Sequence, residues 1–111
     1  MAGTSYFTDE APASGSEVIT VSTTSIGFTA SKILTNDAGG AHNRAARAFI
    51  TVETNPCRLL HDGTTPTSTV GHLLNPGDTF TVSGEQNVTN ARMIRSGAAD
   101  ATVQVTYWKL R

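Results

Sequence analysis

Two stretches of the chain alternate apolar and polar residues with a period of two, and that period constrains everything around them. In residues 46–54 (ARAFITVET), Ala48, Ile50 and Val52 share one face, and Arg47, Phe49, Thr51 and Glu53 share the other. In residues 101–107 (ATVQVTY), Ala101, Val103, Val105 and Tyr107 point one way, and Thr102, Gln104 and Thr106 the other. A period of two belongs to a strand with one face on a core and one toward solvent. Such a strand needs neighbours in a sheet, and the sheet needs a cover over its apolar face. Turn signals cut the remaining chain into strand-length pieces every ~8–12 residues, the spacing of a sandwich or barrel.

The other expected strands are shorter. They are residues 17–21, residues 25–29 with Ile26 and Phe28 in alternation, and an extension over 31–35. A loop over 36–43 holds Gly39-Gly40. Asn55-Pro56 turns the chain into a strand at 57–61, and Asp62-Gly63 reads as a tight turn. Residues 64–69 contain Pro66 and read as an edge or loop. After a short strand at 71–74, Asn75-Pro76-Gly77-Asp78 fits a type II turn: Pro sets φ at the second position and Gly accepts φ > 0 at the third. Strands are then expected over 78–82, with Phe80 and Val82 inward, and over 88–95. The count is about eight, in an all-β, antiparallel sandwich whose core holds Ile50, Val52, Phe80, Val82, Val103 and Val105. The only helix-friendly window, 41–48, is short and runs into a strand. No helical crossover separates the strands, so a parallel α/β sheet is disfavoured.

The chain of 111 residues is one domain in size. Residues 1–15 lack periodicity and read as an N-terminal arm, with Tyr6 and Phe7 as its anchors; residues 16–111 form the β-sandwich domain with a short C-terminal tail. Thr is the commonest residue, with 18 copies, and only 15% of residues are charged. Exposed sheet faces are therefore dressed with hydroxyls. The net charge of −1 lacks the basic excess of a nucleic-acid binder. No run of ~18 apolar residues is present, so no membrane span is expected. The N-terminus has neither the basic start nor the apolar run of a signal peptide. The expectation is a chain made in a reducing cytoplasm that leaves the cell only by lysis.

Candidate chemistry is sparse. Cys57 and His61 share a strand face roughly 13–14 Å apart, too far for a catalytic dyad, and a lone Cys reads as a core thiol. His42, His61 and His72 show no short ligand spacing, so no metal and no cofactor is expected. No glycine pattern forms a nucleotide loop. Asn87-Val88-Thr89 matches the glycosylation triplet by chance. Arg44, Arg47, Arg92 and Arg95 read as solvated or paired cations, or as a contact to an acidic protein surface. If the alternation continues past Tyr107, Trp108 faces outward beside Lys109, as an interface anchor or as a cover for the sandwich edge.

Several runs resemble a small structural module of tailed-phage virions. They are residues 50–56 (ITVETNP), Arg58, residues 62–67 (DGTTPT), residues 71–78 (GHLLNPGD), and the ending from Arg92 and Ile94-Arg95 through residues 97–107. Val21-Ser22-Thr23-Thr24 and Ala30-Ser31-Lys32 belong to the same pattern, and the resemblance covers residues 17–107. Free-standing copies of this size resemble the capsid decoration (cement or staple) proteins of epsilon15-like short-tailed phages. The resemblance implies a jelly-roll-like sandwich without enzymatic activity. It further implies a place on the outer surface of the virion capsid after assembly in the host cytoplasm, and the major capsid protein as partner. The chain departs from the pattern before Glu17 and after Tyr107. Partner contacts are therefore expected from Tyr6, Phe7, Trp108, Lys109, Leu110 and Arg111, with a homo-oligomer, a dimer in the first place, as a further expectation. The competing reading is a tail- or fibre-associated module that binds a glycan or receptor; an aromatic content of 6% gives it little platform.

Overall fold

The computed structural model describes residues 13–33 and 44–109. Within them the fold is all-β and antiparallel, built as two sheets. The elements run β1 (Ala13–Val21), α1 (Ala30–Ile33), β2 (Ala45–Thr54), β3 (Cys57–Leu60), β4 (His72–Leu74), β5 (Thr79–Ser83), α2 (Glu85–Asn90), β6 (Arg92–Arg95) and β7 (Ala101–Lys109). One sheet has the order β1-β7-β2-β5 and the other β4-β3-β6. The two alternating stretches form neighbouring central strands, β2 and β7, with Ile50 opposite Val105 and Val52 opposite Val103. Their inward residues are fully buried, as the alternation requires.

The core lies between the sheets. Ala48, Ile50, Val52, Val82, Val103, Val105 and Tyr107 come from the larger sheet, and Cys57, Leu59, Leu74 and Met93 from the smaller. Phe80 is only half-buried, because β5 is an edge strand and its ring lies at the margin between the sheets. Tyr107 carries the one polar group of this core stack. Its ring meets the edge of Phe28 at 5.5 Å and 81°, and its hydroxyl donates to Glu17 Oε2. Thr29 completes the latch, donating from Oγ1 to Glu17 Oε1 at 2.6 Å and from its backbone N–H to Oε2 at 3.2 Å. A buried hydroxyl without such a partner costs ~1–3 kcal/mol.

Four expectations need correction. Residues 25–29 do not form a strand. Ile26 makes an isolated bridge to Met93, with N–H···O bonds of 2.8 Å in both directions, and the chain then leaves the sheet so that Phe28 can pack on Tyr107. The extension beyond it is the helical turn α1, whose Ile33 enters the core. Residues 88–95 are split: α2 buries Val88, and only then does β6 begin. Asp62-Gly63 does not close a two-residue hairpin, because β3 and β4 are joined by the whole of 61–71. Asp62 Oδ1 accepts from Thr64 N–H at 2.9 Å, a local Asx turn that opens this loop. Arg58 ties the loop back, donating from Nε to Ser68 O at 3.0 Å and from Nη1 to Gly71 O at 2.9 Å.

Seven strands are thus present among the described residues. The missing eighth is residual: Arg95 N–H donates to Ser22 O at 3.0 Å, and Ile26 pairs with Met93, so residues 22–26 run along the free edge of β6. The turn at 75–78 is as expected. Asp78 N–H donates to Asn75 O at 2.9 Å, and Gly77 has φ of 93°, a conformation only glycine adopts without strain. At the other terminus, β1 starts at Ala13, four residues ahead of the expected Glu17.

Candidate interaction surface

One face of the larger sheet covers the core, and nothing among the described residues covers the other. Register places its outward residues in rows. Val18, Gln104, Thr51 and Thr79 form one, and Ser16, Thr106, Phe49 and Thr81 the next. The face is rich in hydroxyls. Val18 and Phe49 are 58% and 38% exposed on it, large apolar groups that the sandwich does not bury. Charges on β2 stand near its ends: Arg47 at one, and Glu53, which accepts from Gln104 Nε2 at 3.3 Å, at the other.

Trp108 faces outward, as the alternation predicts, and is half-buried. It pairs with Arg47 across the strands, and the guanidinium carbon lies 4.5 Å from the ring centre. A cation held over an indole is an attractive electrostatic contact. Ala13 pairs with Trp108, and Ala45 with Lys109. The start of β1, the start of β2 and the end of β7 therefore lie side by side at one end of the sheet. Irregular pairing at Ala13/Gly15 and Ala45/Arg47 marks the same end. Of the expected contact residues, Trp108 and Lys109 are here; Tyr6, Phe7, Leu110 and Arg111 lie outside the described residues. The four arginines do not make one patch. Arg44 and Arg47 belong to the β2 end of the larger sheet, whereas Arg92 and Arg95 are on β6 in the smaller. Arg95 is paired with Asp100 at 2.7 Å.

A shallow pocket of about 320 Å³ is lined by Thr23, Pro66, Thr67, Ser68, Ile94, Arg95 and Gly97. Cys57 is fully buried, and burial pushes its thiol up to about 11, so it is a core residue. No group of three or more His, Cys, Asp or Glu side chains able to hold a metal occurs among the described residues. Spacing gave no hint of one association: the rings of His61 and His72 lie 6.2 Å apart with 19° between their planes, each about as close to Phe80. No family model matches the chain, and no curated protein matches it in sequence.

Proposed function

We propose that this chain is a non-enzymatic virion structural protein, a decoration or staple protein. It binds the outer surface of a phage capsid and bridges neighbouring major capsid protein subunits. The observation that carries the reading is the convergence at one end of the larger sheet. There Arg47 stacks on Trp108, and the first described residues of β1 pair with the end of β7 beside an uncovered, hydroxyl-rich face. A binding protein of this kind needs a stiff domain, an aromatic–cation anchor near the middle of a contact, and a polar rim around it. Strand order supports the jelly-roll part of the reading. With residues 22–26 counted as a second strand, the sheets run 1-8-3-6 and 2-7-4-5, the two four-stranded layers of such a fold. Modest contacts repeated over a lattice add up, and a two-fold pair of copies would present each contact twice.

The test is co-sedimentation of the full chain with capsids stripped of their decoration. Trp108→Ala and Phe49→Ser should each leave the domain folded and weaken capsid binding at least tenfold, and the treated particles should rupture at lower temperature. Binding that is equal to wild type in both variants would remove this face as the docking surface. Retention on host-cell glycans in place of capsids would favour the receptor-binding module.

A further inference from the structure

A strand at the edge of a sheet carries unpaired main-chain groups, and folds blunt such edges with short strands, charges, proline, bulges or a covering segment. Three of the four sheet edges here are treated that way. β4 has three residues; β5 has five and runs through Gly84 into α2. β6 is covered, since Arg95 N–H donates to Ser22 O and Ile26 bridges Met93. β1 is the exception. It is nine residues long and pairs only with β7. Its sequence, ASGSEVITV, holds no Lys, Arg or Pro, and its one charge, Glu17, is turned into the latch with Thr29 and Tyr107. The irregularity at Ala13/Gly15 leaves Gly15 to Val21 in unbroken register. Among the described residues no main-chain hydrogen bond reaches the side of β1 away from β7. We propose that this edge pairs antiparallel with β1 of a second copy, so that the two larger sheets join into one eight-stranded sheet across a two-fold axis.

Symmetry fixes the form of the contact. Identical strands related by a two-fold axis lie antiparallel, and one residue stands opposite itself. Val18 is the midpoint of the regular run and gives it the fullest overlap. Gly15 then faces Val21 of the second copy, Ser16 faces Thr20, Glu17 faces Ile19, and Val18 faces Val18. That register supplies about six to eight main-chain hydrogen bonds. Val18 is 58% exposed, more than any other large apolar side chain among the described residues, and on this axis it meets its own copy on the outward face. An axis on Glu17 would set two carboxylates opposite each other, which is destabilising. An axis on Ile19 would shorten the overlap to residues 17–21. The same features select the occupant. The edge offers a foreign strand no charge to read, whereas its own copy brings matching length, matching register and a matching apolar centre. The contact is small beside a standard interface of roughly 1,600 Å², so a dissociation constant in the micromolar range is expected. In the dimer the two uncovered faces become one surface, with an Arg47–Trp108 pair toward each far end.

The experiment is sedimentation velocity of the full chain from about 1 to about 200 μM, which should show a monomer–dimer equilibrium. Val18→Lys sets two cations opposite each other on the axis. It should raise the dissociation constant at least tenfold while the far-UV circular dichroism stays that of the folded chain. Leu73→Lys, at an exposed site on β4, should leave the equilibrium unchanged. Oxidative crosslinking reads the register, and the buried Cys57 stays out of it. Val18→Cys should form an intermolecular disulfide, because opposed residues lie roughly 4.5–5.5 Å apart at Cα, within disulfide reach. Thr20→Cys should not, because its two copies are offset by ~13 Å along the strands. A monomer at every concentration, a dimer that Val18→Lys leaves intact, or equal crosslinking of the two Cys variants would overturn the proposal. A monomer in which every β1 amide resists hydrogen exchange would overturn it too, by showing that residues 1–12 of the same chain fill the edge. No capsid enters these measurements, so failure here leaves the docking proposal to its own test.

Discussion

Tyr107→Phe removes one oxygen atom from the centre of the Glu17 latch and leaves the ring and its edge contact with Phe28 in place. A hydrogen bond to a charged group contributes about 1.5–3 kcal/mol net. Glu17 is only half-buried and keeps both Thr29 donors, so the loss falls at the lower end, about 1–2 kcal/mol. For a domain of this size that is a melting midpoint lower by about 4–8 °C. The pH dependence separates this from simple packing. Burial pulls the Glu17 carboxyl up, but hydrogen bonds from Thr29 and Tyr107, with Lys32 nearby, outweigh it and hold the carboxyl below its ordinary 4.5. A carboxyl lowered in the folded state contributes stability above its unfolded value, and that contribution is lost as pH falls through the folded one. Urea titrations near neutral pH and again near pH ~3 should therefore show the variant's deficit shrinking in acid. The tyrosine has the opposite sign. Burial, then Glu17, raises its phenol well above the ordinary 10, so its contribution is present below that value and lost as pH rises further. The variant should accordingly be less sensitive to alkali. A variant as stable as wild type at neutral pH, or one with the same deficit in acid, would refute the latch.

Ile50→Ala and Val103→Ala delete side chains that are 0% exposed between the sheets, and each should cost ~2–4 kcal/mol in chemical denaturation through lost burial and a residual cavity; full stability in both would defeat the assignment of this core. Gly77→Val forces a β-branched residue to φ of 93° and should lower stability by ~1–3 kcal/mol, although a Cβ there meets no atom within 4 Å, while exposed Thr65→Val should change it by no more than ~0.5 kcal/mol; equal midpoints would show that the turn tolerates strain. Cys57 should resist thiol reagents in the native state at pH 8 and react fully in denaturant, since burial removes access and raises the thiol to about 11; stoichiometric native labelling would contradict its placement.

Which face of a strand is buried is a local property, and it was legible. The alternation in 46–54 and 101–107 located β2 and β7, their core residues and the outward Trp108. The helices were not legible for a physical reason. Residues 85–90 (EQNVTN) hold two Asn, a Thr and a Val, all poor helix formers, and no apolar repeat at helical spacing. What holds α2 is context. Val88 is buried against β2 and β5, Asn87 Nδ2 donates to Ser83 O at 2.9 Å, and Thr89 Oγ1 to Glu85 O at 2.9 Å. Ile26 and Phe28 carried a true alternation, but Phe28 finds its partner in the Tyr107 ring rather than in a ladder. Conversely, the latch at Glu17 needed Thr29 and Tyr107 brought together from 12 and 90 residues away, and no local pattern encodes that.

Cross-strand partners belong to register, and register is set by the connections rather than by the strands. Arg47 and Trp108 were each recognisable as outward residues, yet only the pairing of β2 with β7 puts the guanidinium over the indole. His61 and His72 are separated by the ten intervening residues of the loop, so ligand spacing along the chain says nothing about them. Their contact depends on Leu59 standing opposite His72, a register that the loop fixes through the two Arg58 bonds to its backbone. Removing the Arg58 guanidinium should therefore loosen the His61–His72 association while leaving β2 and β7 intact. In Arg58→Met, hydrogen exchange should rise across 61–71 and not in the larger sheet, because the loop alone loses its anchor. Protection unchanged in the loop would mean that Pro66, itself fully buried, holds the register without the arginine.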